Sequence, residues 1–154
     1  MPFRITGIPS QLAAEVRGTL LSPQYRHPAH RETATGYGPC RLCLRTFAVG
    51  VDERILFTYQ PFRDPASVPA PGPVFIHASP CSRYDSGALP AGFRTLPLLF
   101  EAYGPGGELL GRDRAREDAP DEVLERLLVT TGAEYVHVRN AEAGCFMARA
   151  DPVS

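Results

Sequence analysis

Residues 118–150 read D-A-P-D-E-V-L-E-R-L-L-V-T-T-G-A-E-Y-V-H-V-R-N-A-E-A-G-C-F-M-A-R-A, and the change of period inside this stretch decides the fold. Its first part predicts a helix over 118–131. Asp118 is the expected N-cap, Pro120 with Asp121 and Glu122 fills the first turn, Val123, Leu124, Leu127 and Leu128 form one apolar face, and Gly132 follows the end. After Gly132 the period drops to two, and a hairpin is expected from Glu134 to Ala150.

Working outward, residues 9–20 predict a shorter helix with Ser10 as N-cap and Leu12, Val16 and Leu20 on one stripe. Residues 22–39, which include His27 and His30, have no period and read as a polar loop. Cys40 to Val49 and Arg54 to Tyr59 alternate and predict a hairpin across G-V-D-E. Five prolines between Pro61 and Pro73 predict an extended connection. Val74–Ser79 and Leu96–Tyr103 read as further strands, the second returning through Glu108 to Leu110. Strands joined by short turns, with only two helices, predict an α+β fold with a largely antiparallel sheet.

The chain has 154 residues, the size of one domain spanning 1–154, and a domain this large buries about 68–70% of its unfolded surface. It contains no lysine, which excludes Schiff-base chemistry and a phosphate-binding P-loop. A formal charge of −1 with interspersed signs argues against nucleic acid as a partner. No stretch has the length and apolarity of a membrane span, and no signal-peptide pattern opens the chain, so a soluble cytoplasmic protein with reduced cysteines is expected.

Four cysteines and four histidines carry the candidate chemistry. Cys40 and Cys43 form C-x2-C, and His77 and Cys81 form H-x3-C, together the composition of a Cys3His zinc site. In a strand, however, alternation would put Cys40 with Leu42 and Leu44 and Cys43 with Arg41 and Arg45, so the two sulfurs would point to opposite faces. On that reading Cys40, Cys43, His77 and Cys81 hold no metal, no cofactor is implied, and only a tight knuckle would restore the site. A dithiol redox pair is disfavoured because no helix follows to lower the first thiol's pKa.

The terminal hairpin offers a second site. Pairing Val136 with Phe146 on the core face would place His137 opposite Cys145, with Arg139 one step along and Asn140 opening the turn that Gly144 closes. Three readings follow. A thiol-dependent enzyme would use Cys145 as nucleophile, His137 as base and Arg139 as anion clamp. A binding protein would hold a small anionic ligand on the same face through Arg139 and Asn140, with the 22–39 and 61–73 segments as rim. An interaction domain would recruit another chain, or a second copy of itself, through a sheet edge.

The segments G-Y-G-P-C-R (36–41), G-P-V-F-I-H (72–77), L-P-L-L-F-E-A-Y (96–103) and Y-V-H-V-R-N-A-E-A-G-C (135–145) resemble an uncharacterised bacterial family, domain of unknown function 1203, over about residues 36–150. Members typically carry a cysteine at the position of Cys40 and an H-N-A-R-P-G-C-like ending, onto which His137, Asn140, Gly144 and Cys145 map. Here Arg139 stands where many have His, Glu142-Ala143 where Arg-Pro is usual, and Cys43 and His77 where Ser and Arg are frequent. The resemblance implies a location for the site rather than an activity.

Overall fold

In the computed structural model, which describes residues 2–62, 71–115 and 119–153, the chain is α+β with every strand pairing antiparallel. The elements in order are β1 (Phe3–Thr6), α1 (Ser10–Thr19), β2 (His30–Thr33), β3 (Glu53–Tyr59), β4 (Gly72–His77), β5 (Asp85–Ser86), a 3-10 turn (Ala91–Thr95), β6 (Leu98–Tyr103), β7 (Leu109–Arg114), α2 (Pro120–Thr131), β8 (Tyr135–Asn140) and β9 (Phe146–Pro152). They build two sheets among the described residues, a six-stranded one ordered β5-β1-β9-β8-β6-β7 and a three-stranded one ordered β2-β3-β4.

The helix expected over 118–131 forms as α2, which buries Val123, Leu124, Leu127 and Leu128 against Phe100, Ala102, Val136 and Val138 of the large sheet. Gly132 ends it with φ 64°, the left-handed conformation a glycine adopts at no steric cost. Asp118 lies outside the described residues, and Ala119 holds the cap position without a side-chain bond. In α1 the cap position falls to Pro9, Ser10 is already helical, and Ala13 and Val16 are the buried pair. Leu20, expected on the apolar stripe, instead terminates the helix in the left-handed conformation and is exposed.

Two strand expectations are overturned. Residues 40–49 form no strand: Cys40 N–H bonds the Arg45 carbonyl, Leu44 N–H bonds the Cys40 carbonyl, and Leu44 takes φ 61°. The backbone satisfies its own hydrogen bonds in a tight turn, so the alternation of Leu42 and Leu44 reflects burial in two different clusters rather than a pleat. The partners of β3 are therefore β4 and β2, and β2 falls inside the segment read as a polar loop. As an edge strand β2 (His-Arg-Glu-Thr) is mostly exposed, so it carries no apolar period. Of the proline connection, residues 63–70 lie outside the described residues.

A third correction concerns the terminal hairpin. Val136 pairs with Ala150, His137 with Arg149 and Val138 with Ala148, and a bulge at Val138/Arg139 sets Arg139 opposite Phe146. Pairing Val136 with Phe146 would have forced the chain to reverse within one residue at position 141. It reverses over 141–144 instead, closed by Asn140 N–H to the Cys145 carbonyl, with Gly144 at φ 81°.

Candidate metal centre

The C-R-L-C turn is held from outside as well as from within. Arg41, which follows Cys40 in the turn, is buried, donating from Nε to the Phe146 carbonyl at 2.8 Å and from Nη1 to the Pro39 carbonyl at 2.5 Å, while its backbone N–H reaches the Phe75 carbonyl of β4 at 2.9 Å. That last bond lays the turn alongside the end of β4, where His77 sits. The loop after β4 carries Cys81 and is bound on both sides: Tyr84 N–H reaches the Leu42 carbonyl at 2.8 Å, and Gly7 N–H reaches the Tyr84 carbonyl at 3.0 Å. From α1, Arg17 donates from Nε to the His77 carbonyl at 3.0 Å and from Nη2 to the Cys81 sulfur at 3.3 Å.

The result is convergence. Cys40 Sγ, Cys43 Sγ, a His77 ring nitrogen and Cys81 Sγ all lie within 4.8 Å of one another. Cys40 Sγ to Cys81 Sγ is 3.9 Å and Cys43 Sγ to His77 Nδ1 is 3.5 Å. Tetrahedral zinc with bonds of about 2.3 Å to sulfur and 2.0–2.1 Å to nitrogen demands edges of about 3.8 Å and about 3.6 Å. The donor set and both edges fit that ion. On the far side of the imidazole, His77 Nε2 lies 3.5 Å from Asp52 Oδ2, which itself accepts the Ala48 N–H at 2.8 Å. A carboxylate on the second nitrogen fixes the ring and its tautomer with Nδ1 free to coordinate. The Phe47 ring packs edge-on to the imidazole at 4.7 Å.

The electrostatics favour a thiolate at Cys43. A hydrogen bond from Cys40 is the largest cause that holds Cys43 down at about 4, well below the ordinary thiol range, with the Arg45 backbone and guanidinium adding to it. The same shared hydrogen bond, followed by burial, pushes Cys40 upward. The two thiols are thus shifted in opposite directions by their mutual hydrogen bond, and a metal bound to both would displace the proton from Cys40. Burial raises Cys81, opposed by Arg17. Three thiolates around a dication carry net −1, and Arg17 and Arg45 supply the offsetting charge.

The residues expected on the terminal hairpin are not assembled into a pair. His137 is fully buried on the opposite face of β8 from Val136 and Val138, boxed by Phe62, Tyr103, Tyr135 and Phe146 at ring distances of 4.7–5.3 Å. Burial, then the charges of Arg139 and Arg149, push its pKa down to about 3. It stands opposite Arg149 and not Cys145. Arg139 faces Glu101, Nε to Oε1 at 2.7 Å, and donates to the Gly144 carbonyl at 3.1 Å. Asn140 uses its Oδ1 to accept the Glu142 and Ala143 N–H groups, both at 2.9 Å, and so builds the turn. Cys145 lines a cavity of about 300 Å³ with Arg139, Tyr59, Pro61, Pro71 and Phe146.

Asp52, Arg17 and Arg45 were not legible as site residues. Asp52 sits in G-V-D-E, which reads as a hairpin turn, and Arg17 on the polar side of α1 reads as a solvated charge. Among the described residues no helix is long and apolar enough to cross a membrane. A family model described as "Protein of unknown function (DUF1203)" matches residues 37–151 and so takes in all four converging donors. No curated protein and no solved structure matches the chain.

Proposed function

We propose that this chain, which belongs to the DUF1203 family of proteins of unknown function, is a zinc protein whose ion is held by Cys40, Cys43, His77 and Cys81. The observation that carries the reading is the approach of four soft or borderline donors from three separate segments to within 4.8 Å. Four protein ligands close the coordination sphere, which is the arrangement of a structural site rather than of a hydrolytic one with an open position. Its role follows from where it sits: the ion ties the 40–45 turn, the end of β4 and the Cys81 loop together beside α1. A reducing cytoplasm, in which free thiols persist, suits such a site.

A second reading uses Cys43, His77 and Asp52 as a nucleophile, base and orienting carboxylate. The 3.5 Å steps on either side of the imidazole favour it. It leaves Cys40 and Cys81 without a part, which is why the metal reading is preferred.

Elemental analysis of the purified full chain decides between them. One zinc per chain is expected, lost in Cys43→Ser and His77→Ala but kept in Cys145→Ser, with cobalt substitution producing tetrahedral thiolate spectra. Metal-free protein that fails to take up zinc, with Cys43 alkylating rapidly and His77→Ala slowing it, would replace the zinc reading with the nucleophile one.

A further inference from the structure

We infer that Cys40 and Cys81 form a disulfide modification site inside this centre, made by hydrogen peroxide or an organic hydroperoxide, whose closure ejects the metal. The inference rests on the zinc reading for its consequence, but the disulfide itself rests on sulfur geometry alone. The two sulfurs stand 3.9 Å apart, and a disulfide needs about 2.05 Å, so roughly 2 Å of approach is required. Cys81 can supply it, because it lies outside regular structure on the loop after β4 and is partly exposed, whereas Cys40 is fully buried with its sulfur accepting the His77 N–H at 3.3 Å. Cys43 also shares a hydrogen bond with Cys40, which makes Cys40–Cys43 the competing linkage that the test must distinguish, but its sulfur is held against His77 Nδ1 at 3.5 Å.

Exposure sets the order of events. Cys81, the one partly exposed residue among the three cysteines of the centre, supplies the sulfur that attacks the peroxide: an S–O bond forms, the O–O bond breaks, and the departing oxygen leaves as water or alcohol after taking a proton. The Cys40 thiolate then attacks the Cys81 sulfur, forming S–S and breaking S–O, and the hydroxide leaves as water with a second proton. Two thiolates, one hydroperoxide and two protons become one disulfide, one water and one further water or alcohol. Two electrons pass from sulfur to oxygen. The ion keeps only Cys43 and His77, half of its coordination sphere, and dissociates; a thiol reductant with added zinc reverses the change.

The test oxidises the full-length protein, its zinc measured beforehand, with stoichiometric hydrogen peroxide. Zinc release is followed with a chromogenic chelator, intact mass with a two-hydrogen loss, and peptide mapping identifies the linked cysteines. The expected result is one zinc released per disulfide, a Cys40–Cys81 linkage, the same linkage in Cys43→Ser, and an unchanged response in Cys145→Ser. A Cys40–Cys43 linkage, a sulfinic acid on Cys81 without cross-link, or zinc retained at full disulfide would each overturn the inference. If the purified chain holds no zinc, the metal reading fails on that measurement, and the linkage is still read on the same sample.

Discussion

His137 is the residue with the clearest solution signature. Its imidazole is neutral in the folded state because burial and two neighbouring arginines hold its pKa at about 3, against about 6.5 in an unfolded chain. Below pH 6.5 the unfolded chain takes a proton that the folded one refuses, so stability is present above that pH and is lost as pH falls toward 3. Each pH unit in this window removes up to about 1.4 kcal/mol from this group. Carboxylates titrate in the same range, so the comparison is with His137→Phe, which replaces the ring within its aromatic box. Urea midpoints at pH 7 and pH 4 should drop further in the native protein than in the variant. Equal drops would show that the imidazole is protonated in place.

Among the elements, α2 holds the large sheet's core together and the 40–45 turn holds the site, and they test differently. Leu124 is 0% exposed in the centre of the α2 face. Its truncation to alanine should cost on the order of 2–5 kcal/mol, since a buried leucine leaves both lost transfer energy and a cavity. The measurement is a shift in denaturant midpoint at unchanged slope, with zinc content per folded chain unaffected, because the α2 cluster takes in Leu44 of the turn but none of the four donors. The helix was readable in advance because its apolar stripe and terminal glycine are local features. The turn was not: Leu44, a residue type that rarely does so, takes the left-handed conformation there, and the residues that hold it, Phe146 and Phe75 through Arg41, are remote in sequence.

At the level of the whole molecule, the junction between β1 and the site is a place where backbones nearly touch. A Cβ added to Gly7 would lie 2.1 Å from the Leu42 carbonyl oxygen, which is backbone and cannot step aside. Gly7→Ala should therefore push the C-R-L-C turn away from β1, breaking the Ile8 N–H bond to the Arg41 carbonyl and the Gly7 N–H bond to the Tyr84 carbonyl. A loss of about 1–3 kcal/mol is expected from the overpacking, together with weaker zinc retention against a competing chelator. Stability falling with zinc affinity unchanged would show that the turn moves as a rigid body with its ligands. The sequence by itself determined α2, the strands β3, β4, β6, β8 and β9, and the donor types present, because apolar periodicity and side-chain chemistry are properties of neighbouring residues. Tertiary structure alone decided that β2 pairs at an edge, that the last hairpin turns over four residues and parts His137 from Cys145, and that Cys40, Cys43, His77 and Cys81 meet with Asp52 and Arg17 behind them. The edge pairing and the four-donor convergence depend on contacts between segments tens of residues apart, whereas the hairpin is closed locally by the Asn140 N–H bond to the Cys145 carbonyl. A polar edge strand, a turn closed by backbone bonds and a carboxylate behind a histidine leave no period in the chain to announce them.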